Sequence, residues 1–408
     1  MVTKIKKIVN YAYENVKYYH ELYNNYQNMI ESDFTLKQFR QLPFVDKKML
    51  YLDKTEILSK NRNQETSVIV KTSGTTGQCI TAHWNQSDFN RSMLELWLMR
   101  KKYGISTTDK CCRFFTNMYI GNSLVKESVL GEIVNDGRML MISKSNLTEE
   151  RLMDVYLQIL EYQPAWLYLQ PSVAQLLLRT KEKEKLESIN SLRYIELTGE
   201  AYLPELEKRL EKEFSCKVCN MYGMIEVNGI AYGESGSKLK ILKSNVFVEI
   251  VRENKVVSDG EIGEICITSL NNYQMPLIRY LTGDFGYLKD GDLYLLKGRK
   301  SEYIKLSREE VVPVYVLFSP IERINGELGD IITDARFVQN AFDKIEVLLV
   351  VKNEYLGWIE EIQKLFLRYI AKEKRLKAVN WKFMFASKLD DLNNGKKKRF
   401  FYSNLQED

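Results

Sequence analysis

From Ser67 to Gly223 the chain alternates short apolar runs with longer amphipathic stretches, and this rhythm limits its fold more than any other feature. SVIVK, AWLYL, Leu192–Leu197 and KVCNMYG read as strands. Between them, Ser87–Lys102 is largely amphipathic. A helix capped by Thr148 carries Leu152, Tyr156, Ile159 and Leu160 on one face and ends at Pro164, and Pro204 opens PELEKRLEKEF. Strands separated by helices call for a mainly parallel sheet with both faces covered, so the expected class is α/β. Ahead of this, Ile5, Ile8, Val9, Ala12, Val16 and Tyr19 recur at helical spacing and mark a buried face.

The rhythm changes twice. From about Leu239 short strands are joined by turns, with Asp259-Gly260 and Asp290-Gly291 as hairpin signals. After Gly298-Arg299-Lys300 come a helix near Val312–Ile324, strands in ARFVQ and KIEVLLVV, a helix over Tyr355–Lys374 and the run NWKFMF. The expected organisation is therefore a large domain over 1–298, with a β-rich subdomain at 239–298, and a small mobile α+β domain over 299–408.

Charge and composition exclude several classes. Fifty-nine basic residues against 54 acidic ones leave a formal charge of +5. The basic residues are spread along the chain, so nucleic acid is not implied. No segment has the uncharged apolar length of a membrane span, and the N-terminus has no apolar stretch of signal length, which makes a cytoplasmic protein the expectation. The six cysteines are irregularly spaced. Cys216 and Cys219 form a lone C-x-x-C with no second pair, and ordinary buried thiols are expected there.

The strongest local chemistry is Thr72-Ser73-Gly74-Thr75-Thr76-Gly77, in which glycines let the backbone approach phosphate oxygens and hydroxyls donate to them. No Gly-Lys-Ser/Thr closes the loop, so it is not a Walker P-loop. Three further segments follow at or just beyond strand ends, where open α/β sheets gather ligands. They are Thr198-Gly199-Glu200, Tyr222-Gly223-Met224-Ile225-Glu226 and Arg279-Tyr280-Leu281-Thr282-Gly283-Asp284.

The ordered set TSGTTG, TGEA, YGMIE, PLIRYLTGD, GRKSEYIK and NNGKKKR, spanning residues 72 to 399, resembles the adenylate-forming (AMP-binding) superfamily of acyl- and aryl-CoA ligases. The PLIRY-x-TGD form is most similar to the phenylacetate-CoA ligase group, including its capsule-associated relatives. The resemblance implies that Thr72 to Gly77 contact the β- and γ-phosphates of ATP, that Gly199, Glu200 and Ala201 line the adenine, and that Tyr222, followed by Gly223, stacks on it. It further implies that Glu226 helps to hold Mg²⁺, that Asp284 binds the ribose with help from Arg299, and that Lys396 bridges the substrate carboxylate and α-phosphate. Thr76, Glu226 and Lys396 would be the catalytic set, and a carboxylate attacking phosphorus does need metal and a fixed cation where negative charge meets.

The reaction so implied is activation of a small carboxylic acid, aryl or otherwise, to an acyl adenylate, then transfer to CoA or to the phosphopantetheine of an acyl carrier protein. Phe114, Phe115, Tyr119 and Tyr168 would suit a planar acid. The sequence also departs from the family pattern: Gln78-Cys79 follow the threonine loop, Ile225 stands where a hydroxyl residue is usual, Leu281 where arginine is frequent, and Ser301-Glu302 replace a pair of aspartates. Two alternatives stay open at this stage, a non-catalytic nucleotide-binding descendant and an adenylating enzyme that passes its acyl group to an amine or hydroxyl in capsule or natural-product biosynthesis.

Overall fold

The computed structural model describes residues 1–62, 67–71, 80–115, 118–120, 123–125, 133–143, 147, 149–200, 202, 205–235, 238–299, 303–307, 310–329, 331–386 and 401–405. Strands β1 (Ser67–Lys71) and β2 (Thr81–Asn85) form an antiparallel hairpin, and the helix Gln86–Lys102 follows directly. The return strand β2 is absent from the sequence reading, which runs from loop to helix. Asn85 then caps the helix, its side chain accepting from the Asp88 amide at 2.9 Å.

The strands that follow are β3 (Cys111–Phe115), β4 (Met118–Ile120), β5 (Ser123–Val125), β6 (Ile133–Asn135), β7 (Met139–Ser143), β8 (Trp166–Leu169), β9 (Tyr194–Thr198) and β10 (Lys217–Met224). Next come β11 (Asn228–Ser235), β12 (Lys238–Ile241), β13 (Val246–Arg252), β14 (Lys255–Val256), β15 (Gly263–Ser269), β16 (Tyr280–Lys289) and β17 (Asp292–Arg299). Thirteen of them form one sheet in the order β14-β13-β15-β16-β17-β12-β11-β10-β9-β8-β3-β7-β6. The pairs from β7 through β3, β8 and β9 to β10 are parallel, as the strand–helix alternation requires. From β10 onward every pair is antiparallel, so the strands after Leu239 continue the same hydrogen-bonded sheet rather than forming a layer of their own.

Of the two hairpin signals, one holds. Asp290-Gly291, with φ of 52° and 81°, turns β16 into β17. The turn between β13 and β14 falls instead at Glu253-Asn254, both at positive φ, while Gly260 donates its amide to the Leu288 carbonyl. Asn tolerates the left-handed conformation well enough to serve without glycine.

The parallel half is covered on both faces. The helices Glu149–Tyr162, Pro171–Glu184 and Glu205–Phe214 pack on one side around Tyr156, Leu178 and Val218, and the helix 86–102 covers the other around Leu96, Trp166 and Tyr194. Ile5, Val9, Ala12, Val16 and Tyr19 join the core of the antiparallel half. Cys216 and Cys219 sit in different cores, because strand neighbours three apart face opposite ways, and burial pushes both thiols up to about 12. They cannot share a metal ion.

The C-terminal part has its own core, from Ile304 to Phe401. Strands β18 (Tyr303–Lys305) and β19 (Val311–Pro313) pair, and the chain then passes through a 3₁₀ turn, so the helix begins at Phe318 and not near Val312. β20 (Ile332–Ala341), β21 (Lys344–Val351), β22 (Asn380–Ala386) and β23 (Phe401–Ser403) form a four-stranded sheet against the helix Ile359–Ile370.

Candidate active site

The loops after β9 and β10 meet the start of β16. Thr198 ends β9 and donates its hydroxyl to the Met221 carbonyl at 2.9 Å, tying the two parallel strands together just before they open. Gly199 then takes φ +79°, and a Cβ there would approach nothing closer than the Gln170 side chain at 3.9 Å. The backbone at this edge is open.

Glu200 turns away from that edge. Its carboxylate accepts from the Ser172 amide and hydroxyl, both at 3.0 Å, at the N-terminus of the helix 171–184. Free amides and the positive helix end favour a carboxylate there. Any part that Glu200 plays toward adenine therefore falls to its backbone.

At the end of β10 the register shifts between Tyr222 and Gly223. A Cβ at Gly223 would collide with the Asn228 carbonyl, so only glycine fits the turn. The half-buried Tyr222 donates its hydroxyl to Asp284 Oδ2 at 2.8 Å. Asp284 is held from behind: Gly283, at φ +79°, donates its amide to Glu264, Thr282 donates its hydroxyl to the Ile265 carbonyl, and the Asp284 amide donates to Thr282 Oγ1 at 3.1 Å. The backbone of Arg299 lies opposite Asp284 in the β16–β17 pair.

Glu226 occupies the turn between β10 and β11 and is buried. Trp84 on β2 donates its indole N–H to the Ile225 carbonyl at 3.2 Å, which pins that turn to the hairpin preceding the helix 86–102. The Ile225 side chain packs on the main core, so this position presents an aliphatic group and no hydroxyl. Burial, and then the charges of Glu226 and Asp284, raise the Tyr280 phenol well above its ordinary range.

Arg279 has a structural task. Only 2% exposed, it pairs with Glu249 at 3.2 Å, donates to the carbonyls of Arg40 and Leu42 and lies 3.9 Å from the centre of the Phe44 ring. It clamps the segment around Val45 to the sheet, where Val45 bridges Tyr280.

The residues present fit a nucleoside. Asp284 offers carboxylate oxygens for vicinal hydroxyls, Tyr222 an aromatic face, and Gly199 and Gly283 two glycines at positive φ at which an added Cβ would meet no described atom closer than 3.9 Å. Glu226 is a buried carboxylate of the kind that would give an oxygen ligand to a hard divalent cation. Residues 72–77, Ala201 and Lys396 lie outside the described residues. Among the pocket aromatics, Tyr168 faces the helix 86–102, whereas Phe114 points into the core on the opposite face of the sheet and cannot line the same cavity. The Phe115 and Tyr119 side chains are outside the described set.

The sequence reading places Glu196 to Thr198 in a pocket wall but does not find Arg100, with which Glu196 forms a buried pair at 2.6 Å in which two guanidinium nitrogens grip one carboxylate. A glutamate inside the apolar strand YIELT was the available signal.

Residues 17–275 match the family model described as AMP-binding enzyme. Phenylacetate-coenzyme A ligase of Thermus thermophilus is 22% identical over 360 residues, covering 80% of this chain and 78% of that protein. The same-named protein of Escherichia coli is 27% identical over 141 residues, a third of each chain. Among solved structures, 2-hydroxyisobutyryl-CoA ligase in the postadenylation state superposes with a TM-score of 0.72 at 16% identity, covering 99% of this chain and 88% of that one. An anthranilate CoA ligase bound to anthranoyl-AMP gives 0.58 at 17% identity, covering 83% and 67%. With the match spanning more than half its length, and with the fold of the adenylate-forming CoA ligases, the chain belongs to the AMP-binding enzyme family.

Proposed function

We propose that this protein activates a small carboxylic acid with ATP and passes the acyl group to a thiol. The observation that carries the reading is the Tyr222–Asp284 pair, a ring and a carboxylate joined at 2.8 Å where the end of β10 meets β16. The family match and the names of the relatives agree with it.

In the first step a carboxylate oxygen attacks the α-phosphorus and the bond to the bridging oxygen breaks, so that pyrophosphate leaves with the electron pair. In the second, a thiol sulfur attacks the acyl carbon, AMP leaves, and the thiol proton passes to solvent. Splitting the reaction replaces one difficult displacement by two easier ones. Asp284 orients the ribose and Tyr222 the base, which fixes the α-phosphorus relative to the acid. Glu226 would hold Mg²⁺, whose charge offsets that of the phosphates. Thr72, Ser73, Gly74, Thr75, Thr76 and Gly77 take the polyphosphate, with Thr76 among the catalytic donors.

We assign the large domain to residues 1–298 and the small one to 299–408. Lys396 comes from the small domain to the meeting point of carboxylate and phosphate, and Arg299 stands at the junction. Free CoA is the acceptor that the relatives' names favour; phosphopantetheine on a carrier protein is the other thiol of the same chemistry.

The test is acid-dependent pyrophosphate release from ATP and Mg²⁺ over a panel including phenylacetate, anthranilate and terephthalate. Lys396→Ala is expected to lower turnover by roughly 100- to 1000-fold with the fold intact. One observation favours a second reading: Ile225 offers no hydroxyl to phosphate or metal. A non-catalytic nucleotide-binding protein would show ATP binding indifferent to Lys396→Ala and no pyrophosphate with any acid.

A further inference from the structure

One row across the parallel half of the sheet holds an imbalance of charge. Met141, Arg113, Tyr168, Glu196 and Cys219 are cross-strand partners in succession on β7, β3, β8, β9 and β10, so their side chains share the face covered by the helix 86–102. Arg100 descends from that helix onto the row, its guanidinium 5.9 Å from the Tyr168 ring centre and 4.8 Å from that of Trp166. It takes both oxygens of Glu196, at 2.9 and 2.6 Å, and Tyr194 donates its hydroxyl to the same carboxylate at 3.1 Å. Glu196 is fully buried and fully engaged.

Arg113 also lies over the Tyr168 ring, its guanidinium 5.6 Å from the ring centre. Among the described residues it has no carboxylate partner, and its Nε is buried with nothing to donate to. A guanidinium cannot shed its charge, and a buried N–H without an acceptor is costly. The nearby Gln170 repeats the pattern, with a buried Oε1 that has no partner. Gln170 is two residues beyond Tyr168 on the same face, and its side chain lies 3.9 Å from where a Cβ on Gly199 would be. Two buried polar atoms without a partner among the described residues, Gln170 Oε1 by Gly199 and Arg113 Nε beside Tyr168, thus lie just past the end of β8 and on its neighbour β3.

We propose that Arg113 reads a second acceptor on the acid, and that the substrate class is an acid with a distal carboxylate, a dicarboxylic acid activated at one end. This inference rests on the adenylation reading of the same site. Two strand spacings separate β3 from β9, and Gly199 lies three residues beyond Glu196, so the Arg113 backbone is roughly 14 Å from the nucleotide edge, a span that the arginine side chain bridges together with an acid whose two groups are held apart by an aromatic ring or a medium-length chain. The guanidinium fork suits a carboxylate in two-point contact, and the Tyr168 ring beneath it shields the pair from water. Glu196 cannot take that place, because Arg100 already fills its oxygens.

The experiment compares terephthalate with p-toluate, and suberate with octanoate, on wild type, Arg113→Gln and Arg113→Lys. Calorimetric binding to the full chain and pyrophosphate release are read separately. Wild type is expected to favour each diacid over its monoacid by roughly 10- to 100-fold, the range of a hydrogen bond to a charged group. Arg113→Gln should bring that ratio near unity and Arg113→Lys restore part of it. A structural role for Arg113 would lower both members of each pair together and leave the ratio unchanged, which would overturn the proposal; so would a wild type that prefers the monoacids. Pyrophosphate release without an Arg113-dependent ratio sinks this inference and leaves adenylation standing. Arg113-dependent binding of diacids without pyrophosphate does the reverse.

Discussion

Two arginines lie against the ring of Tyr168, and they are in opposite states. Arg100, carried by the helix 86–102, is 4% exposed and holds Glu196 with two nitrogens; Arg113, on β3, has a buried Nε with no acceptor among the described residues. One guanidinium is spent on joining a helix to a sheet. The other remains with capacity to bind. The same contrast separates Arg279, closed on Glu249, two carbonyls and the rings of Phe39 and Phe44, from Asp284 of its own segment, whose proposed role is to bind the ribose. An arginine near a ligand site thus says little until its partners are counted.

The comparison breaks first at Glu196. Glu196→Gln leaves Arg100 charged and buried, and should cost about 3–5 kcal/mol in chemical denaturation, whereas Arg113→Met, which strands no partner, should cost under about 1 kcal/mol. Equal losses would mean that the two arginines do the same job. Smaller in free energy is Asp284→Asn, which is expected to raise KM for ATP by roughly 10- to 100-fold through loss of a charged acceptor, with the thermal midpoint little changed.

Next comes Ser172→Ala, which removes one of the donors holding Glu200 at the helix 171–184 and should cost about 1 kcal/mol. The smallest effect concerns Cys219, at the closed end of the row, whose thiol is pushed up to about 12, chiefly by burial. Its folded form stays protonated while the unfolded chain ionises above the usual thiol value, so this stabilisation is complete below about pH 8 and is lost as pH rises toward 12. Wild type should therefore lose about 0.7 kcal/mol relative to Cys219→Ala between pH 8 and pH 9, read from urea midpoints.

The parallel half was legible because its strands are apolar runs bounded by helices, and the site loops fall at their carboxyl ends. Tyr222, Asp284, Gly199 and Glu226 belong to segments that stand out by composition as well as by resemblance. What stayed hidden depends on distant partners. Arg279 sits inside the PLIRYLTGD segment, but its clamp reaches a carbonyl 239 residues away. That the Glu200 carboxylate is claimed by the Ser172 amide, 28 residues earlier, is invisible in the TGEA segment itself. The hairpin at Glu253-Asn254 lacks glycine and lost to the stronger signal at Asp259-Gly260. Arg100 and Arg113 are 13 residues apart and alike in sequence; only the register of β3, β8 and β9 separates them.

In the proposed reaction a carboxylate oxygen of the acid attacks the α-phosphorus of ATP. Turnover with acid labelled by ¹⁸O in its carboxyl group follows that oxygen, by mass spectrometry of the nucleotide product. AMP carrying one labelled oxygen, with unlabelled pyrophosphate, is the expected outcome. Label in inorganic phosphate beside ADP, or AMP without label, would contradict it.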